Sequence, residues 1–399
     1  KDARRGGELR ERSEQLLGSL AVEAERDPRL ALRLGTAYLQ GGNAGKAEPW
    51  LRKAALGRPR DAEARFQLGR ALLAAGNPDD ALGALTEAMS LDPGRADIGV
   101  EAARTYEALG RDADAAALYT RLLAARDPGL LLRGAAGRFF ARTGALDKAG
   151  EQGARIVAAD PASAVGHYLV GESLLAAGKA LEAKQELQRA LDADRDPLYL
   201  DALGRAAESL CRTTGDRELQ DLAIRSYKEA SAAQPRMFNP LAGLGRLYVA
   251  RHEAAKAVPQ LLAATELEPK NPEVMLLIGA AYQELDHPRA ALEWLEASVK
   301  LAPQADAFWR IGQLYRDRNQ GTKAQAALTS ATRLAVETEQ RTGKPVAWLT
   351  DALYLLGRVS LDLHADGAAR DAWTLYVARK PAPSAQLSEV NQLLATTLR

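Results

Sequence analysis

Along most of the chain, apolar and small residues recur at helical spacing in two successive runs, each ended by a turn signal, and the pattern begins again about 34 residues later. The stretch from Ala62 to Arg95 is the clearest copy. With Ala62 as position 1, Leu68, Gly69 and Leu72 at positions 7, 8 and 11 share one helix face, Arg65 at position 4 being the exception. Ala81, Leu85, Ala88 and Met89, at positions 20, 24, 27 and 28, define a second face, and Asp92-Pro93 closes it. Between the two runs, Gly76-Asn77-Pro78 cannot continue a helix. The unit is therefore a helix hairpin. One hairpin cannot bury its apolar face alone, whereas stacked copies bury it continuously.

Leu-Gly at positions 7 and 8, Ala at 20, a small residue at 27, Pro at 32 and the 34-residue period resemble the tetratricopeptide repeat (TPR). The resemblance implies an all-α fold, an α-solenoid of about ten stacked helix hairpins forming a right-handed superhelix with a C-terminal capping helix. It is read as one array over 1–399. A leading helix spans 8–26. Repeats follow at 28–61, 62–95, 96–129, 130–163, 164–196, 197–237, 238–271, 272–304, 305–349 and 350–383, and a capping helix spans 384–398.

Two repeats break the rhythm. In the sixth, the interval from Gly204 to Ala223 is seven residues longer than usual, close to two helical turns, so both helices are expected to lengthen by about a turn around Thr213-Thr214-Gly215-Asp216. After the ninth, Gly357 arrives about eleven residues late. That predicts a second helix running to about Gln340 and a break at Gly343-Lys344-Pro345. These irregular units are expected to mark the functional end of the array.

Composition narrows the picture. Aromatic residues make up 5% of the chain, which argues against sheets. The 53 basic and 52 acidic residues leave a formal net charge of +1, so bulk attraction to nucleic acid or anionic lipid is not indicated. Cys211 stands alone, which excludes an internal disulfide and fits a reducing cytoplasm. No apolar stretch is long enough for a membrane span. A leader upstream of Lys1 stays open, and with it a periplasmic location.

No catalytic, cofactor or metal site emerges. His252-Glu253-Ala254-Ala255-Lys256 approaches a zinc-protease HExxH, but Lys256 replaces the second ligand, and the stretch reads as a turn between helices. Gly243-x-Gly245 lies inside a repeat helix without a preceding strand, and reads as packing glycine. Gly45-Lys46-Ala47 lacks the rest of a phosphate-binding loop. The chain is expected to be non-enzymatic.

The surface remains. In TPR proteins the first helix of each pair lines a concave groove, with positions 2, 5, 9 and 12 facing it. Position 9 holds Arg70, Arg104, Arg138, Arg205, Arg246 and Arg358, forks suited to carboxylate or phosphate groups. Position 5 holds Phe66, Tyr168, Trp309 and Tyr354, expected as partly exposed anchors. Against this, Glu63, Asp97, Glu273, Asp306 and Asp351 sit at helix starts, where the dipole favours them, and a solvated Arg-rich face or packing of the aromatics against the next repeat would explain the same residues. No repeat has the Lys at 5 and Asn at 9 of the co-chaperone clamp, which argues against chaperone tails.

The resemblance thus implies a protein–protein interaction scaffold or adaptor of bacterial type. Its partner would be a protein or peptide with an acidic surface, such as a small GTPase or a polar or pilus component, in motility, pilus, polarity or envelope assembly. The alternatives are a periplasmic arm of a secretion or polysaccharide-export system, and an RNA-binding helical repeat, against which the balanced charge counts.

Overall fold

The computed structural model describes residue 18 and residues 20–396. Among them every regular element is helical and there is no strand. The fold is an all-α solenoid of helix hairpins. The chain divides into two compact units, Lys1–Arg195 and Asp196–Arg399.

In the first unit, a helical run over 20–24 falls within the expected leading helix, whose residues 8–17 lie outside the described ones. Five hairpins follow: α1 (Pro28–Gln40) with α2 (Ala44–Gly57), α3 (Ala62–Ala74) with α4 (Pro78–Leu91), α5 (Ala96–Ala108) with α6 (Asp112–Leu123), α7 (Gly129–Arg142) with α8 (Leu146–Ala159), and α9 (Ala164–Ala176) with α10 (Ala180–Ala193). The second unit has α11 (Pro197–Thr214) with α12 (Arg217–Ala233), α13 (Phe238–Ala250) with α14 (Ala254–Leu267), α15 (Pro272–Glu284) with α16 (Pro288–Leu301), α17 (Ala305–Asp317) with α18 (Gly321–Thr342), and α19 (Leu349–Asp362) with α20 (Asp366–Ala378). The final helix, α21 (Ala385–Thr396), buries Val390 against Trp373 and Tyr376. The end of the expected capping helix, 397–398, lies outside the described residues.

Local chemistry sets the helix ends. Asp61 accepts the backbone N–H groups of Glu63 at 3.0 Å and Ala64 at 3.3 Å, and Asn271 does the same for Glu273 and Val274, both at 3.1 Å. Pro28, Pro78, Pro272 and Pro288 occupy first turns, where no intrahelical N–H bond is lost. First helices end in a left-handed residue. Gly42 is one, and the Asn43 N–H bonds the Tyr38 carbonyl at 2.9 Å while the Gly42 N–H bonds that of Leu39 at 3.0 Å, closing a Schellman turn. Gly76, Gly110, Gly144 and Gly178 repeat it with φ from +69° to +82°. In the second unit His252, Asp286, Asn319 and His364 take the same place, with φ from +55° to +58°.

The helices of a hairpin meet at the small residues. Ala47, Ala81, Ala115, Ala149, Ala183, Ala223, Ala257, Ala291, Ala324 and Ala369 are all 0% exposed. A Cβ on Gly69 would lie 2.7 Å from Leu85 Cγ, and one on Gly279 would lie 2.5 Å from Leu295 Cγ. Repeat four reverses the sizes: Gly153 stands where the others carry a large residue, and Leu169 of the next repeat meets Gly137 instead, 2.3 Å from its Cβ position. Arg65, the exception in the apolar face, forms an ion pair with Glu87.

The two additions are absorbed as longer helices. α11 has 18 residues and α12 has 17, against 13 and 14 in α3 and α4, with Gly215 at φ +72° between them. α18 runs 22 residues and ends at Gly343, φ +66°. Its extension is held down by Arg379, whose Nη1 and Nη2 donate to the two oxygens of Glu339, each at 2.7 Å, and the Val346 N–H donates to the same carboxylate at 2.7 Å.

Candidate functional site

Within each unit, successive first helices touch: α5 with α7 and α7 with α9 in the first, α11 with α13 and α13 with α15 in the second. This places the position-9 arginines of neighbouring repeats along one face. What surrounds them differs between the units.

In the second unit these arginines are consumed by the protein's own acids. Arg205 pairs with Asp201 one turn before it, at 3.1 Å. Arg246 donates to Glu208 at 2.6 Å and to Glu273 at 2.5 Å, carboxylates from the repeats on either side. Arg358 is bound by Glu389 of α21, which also accepts the Tyr354 hydroxyl at 2.9 Å. Burial and that carboxylate hold the Tyr354 hydroxyl above its ordinary range. Small residual space is left beside Arg205 and Arg246, a cavity of about 170 Å³.

In the first unit the picture is more open. Arg104 is exposed and makes no hydrogen bond or ion pair among the described residues. Arg70 is also exposed, and its one hydrogen bond, 3.4 Å, is to the neutral Gln67. Arg138 is half-buried and engaged with neighbours. The acids nearby are turned to other arginines: Glu63 and Asp97 pair with Arg95 at 2.5 and 2.6 Å, and Glu107 with Arg142 at 3.2 Å. Hydrogen bonds from Arg95 hold the Asp97 carboxyl below its ordinary value.

The aromatic positions are less exposed than the sequence suggested. Phe66 is only 7% exposed, because the guanidinium of Arg95 lies 5.0 Å from its ring centre and that of Arg70 lies 5.8 Å away. Tyr168 is 8% exposed. Trp309 is half-buried beneath Trp348, stacked at 5.6 Å and 3° between planes, while the Trp348 indole N–H bonds Asp306. The addition after repeat nine therefore covers an expected anchor.

Arg310 was not singled out by position, yet it is half-buried and donates to Gln283 Oε1 at 2.8 Å, and burial lowers its guanidinium from the usual range against the nearby charges of Asp306 and Glu284. His252 is the left-handed turn residue, so the HExxH-like stretch begins in a turn and continues into α14. Gly243 and Gly245 face Tyr227 and Leu261. Among the described residues no cluster of three metal-ligating side chains occurs, and no helix is long and apolar enough to cross a membrane.

Models of the tetratricopeptide repeat match residues 32–96, 72–129 and 242–306. The chain is a tetratricopeptide repeat protein. Matched stretches fall in both units, and between them Gly171 meets Leu187 and Gly204 meets Tyr227 in the usual way. No curated sequence is significantly similar to this TPR protein. Among solved structures, the APC/C hetero-tetramer Cut9–Hcn1 is 15% identical, over 95% of this chain and 93% of that one, with a TM-score of 0.49. Pseudomonas aeruginosa PilF is 20% identical over 57% of this chain and 96% of its own, with a TM-score of 0.46, and a MamA structure is 18% identical over 43% and 91%, at 0.36. Identities and TM-scores this low carry no partner across. As a TPR protein, the chain belongs to a class of protein–protein interaction scaffolds.

Proposed function

We propose that the protein is a non-catalytic scaffold whose first-helix face in unit one binds an acidic segment or surface of a protein partner. One contrast supports this reading: Arg104 is exposed and among the described residues bonds no carboxylate, whereas Arg205, Arg246 and Arg358 are bonded to Asp201, Glu208, Glu273 and Glu389. A cation without an internal partner is free to pair with an external one, and such pairs act mainly on association rate and specificity. Arg70 and Arg104 are the main contacts in this reading, with Arg138, already engaged by its neighbours, beside them and the edges of Phe66 and Tyr168 as apolar support. The ladder in unit two, with Trp309 and Tyr354, serves stability instead.

The finer assignment keeps a cytoplasmic scaffold of a motility, pilus, polarity or envelope assembly, with a small GTPase or polar complex subunit as the type of partner. The test begins with a pull-down from the source cell using the whole chain. Arg70→Gln with Arg104→Gln should then slow association with the captured partner at low salt by roughly tenfold, an effect that added salt imitates in the parent. Arg246→Gln should leave association unchanged and lower the unfolding midpoint. Equal association rates for the Arg70/Arg104 variant and the parent would overturn the reading.

A further inference from the structure

The third hairpin departs from the others in a way that opens its outer side. α6 has 12 residues where α4 and α8 have 14, and the chain from Ala124 to Pro128 is irregular before Gly129, φ +69°, starts α7. The early stop leaves two adjoining clefts that share Ala124 and Ala125. One, about 620 Å³, is walled mainly by apolar groups, including Met89, Pro93, Leu122, Pro128 and Leu132. The other, about 380 Å³, is lined by Arg126, Arg133, Lys148 and Arg155, with Glu151 as its one acid.

The charges in the second cleft are unbalanced. Arg155 pairs with Glu151 at 3.2 Å. Arg133 donates only to the amide oxygen of Gln152, at 2.9 Å, and Lys148 lies over the Phe140 ring at 5.4 Å. Arg126 is exposed and makes no hydrogen bond or ion pair among the described residues. Three cations from a loop and two helices thus converge here, and among the described residues none of the three forms an ion pair with a carboxylate. Arg133 precedes Arg138 by five positions, about 140° around the helix, so this cleft faces away from the arginine ladder.

We infer that these two clefts form a second docking site, for a protein segment that carries acidic residues beside a bulky apolar side chain. The acids would pair with Arg126, Arg133 and Lys148, and the apolar group would enter the cleft beside Met89 and Leu122. Complementarity of charge selects an acidic occupant, and the apolar wall selects a peptide over a bare anion. The site is independent of the groove proposed above.

The probe is a fluorescein-labelled peptide, Glu-Glu-Leu-Leu-Glu-Glu, titrated with the full chain and followed by anisotropy. Arg126→Gln with Lys148→Gln alters two exposed side chains and should weaken binding by roughly tenfold, and Ala125→Glu, on the loop common to both clefts, should do the same. Arg104→Gln should leave it unchanged. No binding up to about 1 mM peptide would overturn the inference, as would equal affinity for the Arg126/Lys148 variant and the parent. Hexaglutamate binding as well as the leucine peptide would remove the apolar cleft from the site, and oligouridine binding more tightly would make the patch a nucleic-acid surface; either result overturns the inference. If Arg104→Gln alone weakens the peptide, it sits in the groove, and the inference fails while the groove reading stands.

Discussion

The Tyr227 hydroxyl donates to Glu208 Oε2 at 2.8 Å, joining the second helix of the sixth hairpin to the first. The other oxygen of Glu208 receives Arg246 of the next repeat at 2.6 Å, so one carboxylate ties three helices. Tyr119 and Glu107 repeat the arrangement at 2.9 Å, with Arg142 in the arginine's role. Glu208→Ala would leave the hydroxyl of a fully buried tyrosine unpaired and should cost about 1–3 kcal/mol. Tyr227→Phe keeps the Glu208–Arg246 pair and should cost about 0.5–1.5 kcal/mol. Urea unfolding at unchanged slope measures both. Glu208→Ala less damaging than Tyr227→Phe would mean that the carboxylate does not organise the junction.

The same contacts set an alkaline limit. Burial, then the charge of Glu208, holds the Tyr227 hydroxyl well above its usual value near 10, and the Glu296 bond with burial pushes Tyr315 up to about 12. A hydroxyl whose folded value is raised stabilises fully below the unfolded value, about 10, and loses that contribution as pH climbs toward the folded one. Tyrosinate absorbance of the folded chain should therefore lag behind that of the urea-unfolded chain above pH about 10. Superimposable titrations would refute the assignment.

An acid limit should come from Glu339. Hydrogen bonds from Arg379 hold its carboxyl below the ordinary value. Its stabilisation is complete above the unfolded value, about 4.3, and is lost as pH falls through the lower folded one. Arg379→Gln should lower the unfolding midpoint at neutral pH and make the decline below pH about 4 shallower. An unchanged acid limb would assign acid sensitivity to other carboxylates.

Glycine substitutions should split by contact. Gly204 and Gly243 lie on opposite edges of the Tyr227 ring, and a Cβ on either would sit 2.5 Å from a ring carbon. Gly243→Ala should cost about 1–3 kcal/mol by overpacking. Gly83, in α4, has nothing within 4 Å of its Cβ position, so Gly83→Ala should stabilise by about 0.5–1 kcal/mol through helix propensity. Thermal unfolding shifts of the same sign in the two variants would contradict the packing.

At the left-handed turns of unit two, Asp286→Gly or His252→Gly should stabilise by up to about 1 kcal/mol, since a Cβ in this conformation costs about 1–2 kcal/mol and glycine's added chain entropy offsets part of the gain. A lower unfolding midpoint for both would show that these side chains make contacts worth more than the strain.

The sequence by itself determined what repeats. Helical spacing, the Gly and Ala of each hairpin crossing and the lengths of the two additions specify α11, α12 and α18, because helix pitch forces an addition to extend whole turns if the packing faces are to stay aligned. Arg246 was visible as a member of a ladder, but its partners Glu208 and Glu273 lie 38 and 27 residues away, and only stacking brings them to it. Phe66 covered by Arg95 and Trp309 covered by Trp348 are the same case. So is the charged cleft at Arg126, where a helix two residues shorter leaves space that periodicity does not report. Periodicity encodes which face of each helix is buried; whether a polar or aromatic group on the other face is free or already bonded depends on the neighbouring repeat, and that is a property of the tertiary structure.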